Sequence, residues 1–197
     1  MPALRPASSY AECYAPPMRV RVAVATVVVS LSLLAACSPK EPPHWPEGGA
    51  PLLLAPAVWE RGEDDPIEVR ANGQVIEDGD VLFVLDRVGR IVDRDYEPLG
   101  ILLPDGHVVG TDNRALGYVG VSNAAPPWSG NAWLALMPDG AVTLFMPDGE
   151  RKFGGRWTGC TGATQRMCTL VTHLVALRGH RAPDSGVSVG VGIGIGL

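Results

Sequence analysis

Two cysteines in the second half of the chain carry the clearest chemistry. Cys160 and Cys168 are separated by seven residues that read as a polar turn. In an oxidising compartment such a pair forms a disulfide, and here the bond would clamp the base of a loop. Metal ligation and a reactive thiol are the alternatives, but the chain contains no C-x-x-C or H-x-x-x-H spacing. We therefore predict a disulfide between these two residues, and we assign no metal and no cofactor.

The other residues with chemical potential form no recognisable catalytic set. His173 is predicted to be a hydrogen-bonded core histidine rather than a partner of Cys168. The segment 186–190 matches G-x-S-x-G, but neither Asp nor His follows it to complete a triad. Acidic clusters at 60–65, 77–80 and 93–95 could supply a carboxylate pair for glycoside hydrolysis or ligands for calcium. Turn-forming aspartates explain these clusters more simply, and we assign no catalytic residue.

A loop rich in proline and tryptophan is the most suggestive candidate for binding. Trp128, Asn131 and Trp133 lie together in the stretch that begins at Pro126 and leads into an apolar run. An exposed Trp beside polar residues can stack on a sugar ring or anchor a protein partner. We name these three as candidate binding residues. The alternative is that Trp128 only covers the end of the β core.

The N-terminal region has the organisation of an export signal. Residues 18–21 form a short basic segment, and residues 22–36 follow without a single charge. A basic start, an apolar stretch and small residues before a cleavage point define a signal peptide. The stretch is shorter than the roughly 20 residues of a membrane span. Residues 1–17 contain Glu12 and prolines, so we predict an upstream extension, with translation starting at Met18.

The end of this signal resembles the lipobox of bacterial lipoproteins with a type II signal peptide. The motif is Leu34-Ala35-Ala36-Cys37, placed directly after the apolar stretch. The resemblance implies cleavage before Cys37, fatty acylation of that residue and attachment to a membrane through the lipid anchor. Ser38, where the family's retention signal has Asp, implies the outer membrane of the cell envelope. An ordinary signal peptide ending in Cys is the alternative.

The mature chain divides by composition into three parts. Residues 37–57 are rich in proline and predict an extended tether, in which the leucines at 52–54 and Trp45 could dock on the domain. Residues 58–178 read as the folded domain. Residues 179–197 include an alternation of Gly or Ser with Val and Ile, and we predict a disordered tail. An edge strand and a contact to a partner are the alternatives.

Short apolar runs and turn signals predict an all-β domain. The triplet Pro-Asp-Gly occurs at 104–106, 138–140 and 147–149, and Asp-Gly between β-rich runs favours a hairpin. The segment from Gly89 aligns without gaps to the segment from Gly106, a looser copy begins at Gly73, and Gly140 lies two further periods on. A period of about 17 residues predicts a strand-turn-strand repeat. We expect an antiparallel meander, roll or sandwich, closed by a buried strand at 168–177; a short C-terminal helix is the alternative.

Composition narrows the classes of function. Glycine (24) and proline (18) are abundant and the net charge is −5 without a basic cluster, which argues against helical bundles and nucleic-acid binding. We expect a lipid-anchored envelope protein whose β domain is structural or binds an envelope protein or a glycan. A small hydrolase acting on cell wall or polysaccharide, with carboxylates from the Asp-rich turns, is the second hypothesis. A carrier with a ligand in a barrel cavity is the third.

Overall fold

The computed structural model describes residues 40–179, which form twelve β-strands, one α-helix and two short 3-10 turns. The strands are β1 (Ala57–Arg61), β2 (Asp64–Val69), β3 (Gln74–Glu77), β4 (Asp80–Leu85), β5 (Arg90–Val92), β6 (Pro98–Leu102), β7 (His107–Gly110), β8 (Ala115–Val119), β9 (Asn123–Ala125), β10 (Leu134–Leu136), β11 (Ala141–Phe145) and β12 (Arg151–Thr158). The helix α1 spans Gln165–Gly179. The predicted signal peptide, the lipobox with Cys37, and the tail from residue 180 onward lie outside the described residues.

The strands follow one another around a closed antiparallel barrel. Each strand pairs with its neighbours in sequence order, and β1 closes the sheet against β12. In the closing pair Trp59 lies opposite Trp157, and their rings stack with centroids 5.7 Å apart. Closure gives each described strand a partner on both sides, which removes the exposed edges of an open sheet. The prediction of an all-β fold is confirmed, and the architecture is a barrel.

Six of the hairpins share one hydrogen-bonding pattern over five residues. The first residue's N–H donates to the fifth residue's carbonyl, and the fourth residue's N–H donates back to the first carbonyl. An Asp or Asn side chain at the first or third position accepts the N–H of the fifth. The fourth residue has positive φ in every case. These hairpins span residues 70–74, 86–90, 93–97, 103–107, 137–141 and 146–150.

The predicted 17-residue repeat corresponds to this hairpin together with one long-range contact. The glycine that begins each predicted copy is the fourth residue of its hairpin, and its carbonyl accepts an N–H from a later strand. The donors to Gly73, Gly89, Gly106 and Gly140 are Leu85, Leu102, Val119 and Trp157. Gly73 and Gly140 approach the carbonyls of Leu85 and Trp157 so closely that a Cβ atom would collide with them. Glycine is therefore needed for both its φ and its size.

The segment 168–177 is not the closing strand that the sequence favoured. It belongs to α1, the lesser alternative, and all seven residues from Met167 to His173 are buried. Seven successive residues cover two full turns of helix, so α1 is enclosed on every side there. A barrel of twelve strands is too wide for strand side chains alone to fill, and α1 shares one core with the strands. The apolar residues of this segment also fit a helical stripe, but its β-branched residues favoured a strand.

The folded region begins earlier than residue 58, so the predicted tether of residues 37–57 is too long. Gly49 and Ala50 donate backbone hydrogen bonds to Val88 and Leu102, at 2.6 and 2.7 Å. Leu52 donates to the carbonyl of Arg87 at 3.0 Å, and its side chain is buried. The described segment from Gly49 to Leu52 is therefore packed on the barrel. Its backbone hydrogen bonds and the buried side chain of Leu52 fix its position on the barrel.

Two cysteines at the distance of a disulfide connect the last strand to the helix. Cys160 and Cys168 lie with their Cα atoms 6.2 Å apart. Between them, Thr161 and Thr164 exchange side-chain and backbone hydrogen bonds that cap the first turn before α1. The pair thus fixes the chain at the point where it leaves the barrel wall and enters the core. Among residues 40–179, no helix combines the length and apolar character that a membrane crossing requires.

Candidate functional site

The three predicted binding residues lie in the connection between β9 and β10. The prolines at 126 and 127 end β9, since proline cannot continue the ladder of hydrogen bonds. Trp128 follows them and is 42% exposed, while Trp133 is half-buried directly before β10. Asn131 is exposed, and its N–H donates to Ser129 Oγ at 3.1 Å. The loop therefore presents one indole to solvent and turns the other toward the core.

The structure brings Trp128 and Trp133 together with a third ring. The indoles meet edge to face, with centroids 5.9 Å apart and planes at 84°. Trp133 meets His173 of α1 in the same manner, at 5.5 Å and 74°. Edge-to-face pairs of this kind are favourable because the positive edge of one ring meets the negative face of the next. We call Trp128, Trp133 and His173 the aromatic array.

Hydrogen bonds fix the protonation state of His173. Trp133 Nε1 donates to His173 Nδ1 at 3.0 Å. Because an indole nitrogen only donates, Nδ1 must accept, so Nε2 carries the proton and donates to the carbonyl of Leu116 at 2.8 Å. Burial lowers the pKa of His173 to about 4, although the bond to Leu116 works in the opposite direction. His173 is thus a neutral core residue at physiological pH.

The inner end of the array depends on a glycine in β8. Gly117 has φ +125°, and a Cβ atom there would lie 2.7 Å from His173 Nε2. The absence of a side chain lets the imidazole reach the strand carbonyl. The array therefore runs from solvent at Trp128 to the backbone of β8, through two buried or half-buried rings. Such support holds the exposed indole in one orientation.

Sequence reasoning identified the outer part of this site and missed its inner part. Trp128 and Trp133 were grouped because they are neighbours in the chain. The contact of Trp133 with His173 spans 40 residues, and it depends on a helix that the sequence did not favour. A helical placement of 168–177 would have been the one available signal, since it directs His173 into the core. His173 itself was expected to be a hydrogen-bonded core residue, as it is.

Comparison of the chain with protein-family models, with curated proteins and with solved structures found no match.

The aspartates of the repeated hairpins have structural partners. Asp93 accepts the N–H groups of Asp95 and Glu97, each at 2.8 Å. Asp105 and Asp139 accept N–H groups from the residues two positions later, and these bonds hold the pKa of both carboxyls below the usual range. A carboxyl that acts as a general acid needs a raised pKa instead. Within the described part of the chain, no three His, Cys, Asp or Glu side chains gather in a way that could hold a metal ion.

Proposed function

We propose that this protein is a lipid-anchored component of the bacterial cell envelope whose barrel docks a partner protein through Trp128. The sequence supports the anchor, because Cys37 follows an apolar signal at the lipobox spacing. The observation that carries the docking role is the exposed indole of Trp128, supported by Trp133 and His173. Interface hot spots favour a rigid, central Trp with polar residues around it. Ser129 and Asn131 supply such a polar rim on the same loop.

Two features of the structure favour a surface site over the other hypotheses. The helix α1 shares the buried core with the strands and packs against β8, β9 and β10, which takes up space that a carrier would need for its ligand. Within the acidic clusters that the hydrolase hypothesis would use as acid and base, Asp93 accepts two backbone N–H groups and Glu77 pairs with Arg61. Trp128 is subject to neither of these constraints. Its loop lies outside the helical core and is open to a partner.

The anchor is tested by intact mass and membrane fractionation of the native protein beside Cys37→Ala. We expect the native chain to begin at Cys37, to carry acyl chains and to sediment with membranes. The variant should be released or left uncleaved. An unmodified, soluble native chain would refute the anchor.

The docking role is tested by placing a photoreactive residue at position 128 in intact cells. Position 118 is the matched control, because Tyr118 is 41% exposed and Trp128 is 42% exposed. We expect one discrete adduct of protein mass at 128 that is absent at 118 and is lost after protease treatment of the partner. Equal labelling at both positions, or an adduct that resists protease and yields only sugar, would contradict the proposal.

A further inference from the structure

A second surface feature lies away from the aromatic array, on the first half of the barrel. A groove of about 460 Å³ opens between the N-terminal segment and the hairpins that precede and follow β5. This volume falls within the range of small-molecule sites. The side chains that could address a ligand there are two aromatic and four polar: Trp45, Tyr96, Asn72, Asp86, Arg87 and Arg90.

Tyr96 is the exception within the repeated hairpins. The fourth position is glycine in the other five and tyrosine in the hairpin 93–97. Tyr96 has φ +66°, in the left-handed region that is strained for a residue with a side chain. Its ring is 70% exposed, so burial offsets little of this strain. A strained residue with no packing role, placed in a groove, points to binding.

Trp45 also lines the groove and is held firmly by Arg90. The guanidinium of Arg90 lies over the indole, 5.4 Å from the ring centroid. Arg90 Nε donates to the carbonyl of Trp45 at 2.9 Å, and Nη2 donates to that of Pro46 at 3.1 Å. The indole is therefore fixed by both its ring and its backbone. A ligand would meet an ordered aromatic surface and would lose little free energy in ordering it.

The polar groups of the groove mix donors and acceptors. The carboxylate of Asp86 accepts two backbone N–H groups through Oδ1 and faces Arg90 through Oδ2 at 3.6 Å. Asn72 Oδ1 accepts the N–H of Gln74, which leaves the amide NH₂ to donate. Arg87 adds an exposed guanidinium. Groups of both kinds beside aromatic rings suit a ligand that has an apolar face and many hydroxyls.

We propose that the groove between Trp45 and Tyr96 is a carbohydrate-binding site. A pyranose ring presents C–H groups to the aromatic side chains and directs its hydroxyls to Asn72, Asp86 and Arg87. The groove contains one carboxylate and two guanidiniums, so its net charge is only +1 and recognition rests on the rings and hydrogen bonds rather than on charge. This site does not include Trp128 and therefore does not depend on the docking role proposed above.

The repeat itself supplies the variant that tests this site. Tyr96→Gly installs the residue that the five sister hairpins use, so the barrel should still fold. Phe153→Ala is the matched control, because Phe153 is 71% exposed and does not line this groove. The full-length protein in detergent is titrated by calorimetry with hexasaccharides of glucose, mannose and N-acetylglucosamine. Each variant is first compared with the wild type by circular dichroism.

We expect at least one hexasaccharide to bind the wild type, with affinity about tenfold weaker in Tyr96→Gly and unchanged in Phe153→Ala. Trp128→Ala should also retain the wild-type affinity, which separates this site from the docking loop. The proposal is overturned if no hexasaccharide binds at millimolar concentration. It is also overturned if folded Tyr96→Gly binds as the wild type does, or if Trp128→Ala alone abolishes binding.

Discussion

Acidification should destabilise the packing of the buried helix α1, because His173 can remain buried only while it is neutral. In the folded chain Nδ1 accepts from Trp133 Nε1, and a protonated ring would set two donors against each other. The pKa of His173 is lowered from its ordinary value of 6.5 to about 4. Between these two values the unfolded chain binds a proton that the folded chain does not bind. This contribution to stability is therefore complete above pH 6.5 and is lost as the pH falls toward 4.

The size of the loss follows from the shift. Each pKa unit corresponds to about 1.4 kcal/mol, so the free energy of unfolding should fall by about 1.4 kcal/mol at pH 5.5 and about 2.5 kcal/mol at pH 4.5. Carboxylates titrate in the same range, so the measurement needs a reference chain that differs at position 173 alone. His173→Gln is that reference, since its amide can accept from Trp133 and donate to Leu116 without titrating.

Urea unfolding of both chains, followed by tryptophan fluorescence at pH 7.5, 6.5, 5.5 and 4.5, measures the difference directly. The variant should start less stable, because its side chain fills the site less well. The wild type should then lose about 2.5 kcal/mol more than the variant between pH 7.5 and 4.5. Equal losses in the two chains would refute the assignment of a neutral, accepting Nδ1 and the account of the aromatic array built on it.

Four further variants test the framework of the barrel, and each is measured by urea unfolding at pH 7.5. Gly149→Ala should cost about 1 kcal/mol of stability, because Gly149 has positive φ. Gly140 also ends a Pro-Asp-Gly triplet but lies against the backbone of a later strand, so Gly140→Ala should cost at least about 2 kcal/mol more. Equal costs would refute the close-approach argument. Replacing Cys160 and Cys168 together by Ala should cost roughly 2–3 kcal/mol, and reduction of the wild type should reproduce this value. Trp157→Phe should cost about 2 kcal/mol, because it loses the buried hydrogen bond to α1.

The turns of this fold could be predicted from the sequence because their determinants are local. An aspartate or asparagine that accepts an N–H two residues later, followed by glycine at positive φ, specifies a hairpin without help from the rest of the chain. Gly73, Gly89, Gly106 and Gly140 were therefore found by their spacing alone. Closure into a barrel could not be found in this way, since the pairing of β1 with β12 joins the two ends of the domain.

The helix and the start of the domain escaped prediction for a different reason. A pattern of polar and apolar residues reports a boundary with water, and α1 has no such boundary through His173. Its Thr169 and Thr172 read as strand residues, but in the structure their hydroxyls donate to carbonyls one helical turn earlier. Likewise, the proline content before residue 58 suggested a free tether, whereas backbone hydrogen bonds from Gly49 and Leu52 decide its position. Both errors arise from long-range contacts.

The repeat also indicates where function should be sought. A hairpin with a purely structural role has no reason to depart from the shared pattern. A departure that costs stability, or that brings no gain in packing, therefore needs another explanation. One departure is Tyr96, strained and exposed where the sister hairpins have glycine. Another is the connection from β9 to β10, the longest of the connections that lack the five-residue turn, which carries Trp128. Both proposed binding surfaces therefore lie where the chain departs from the shared hairpin.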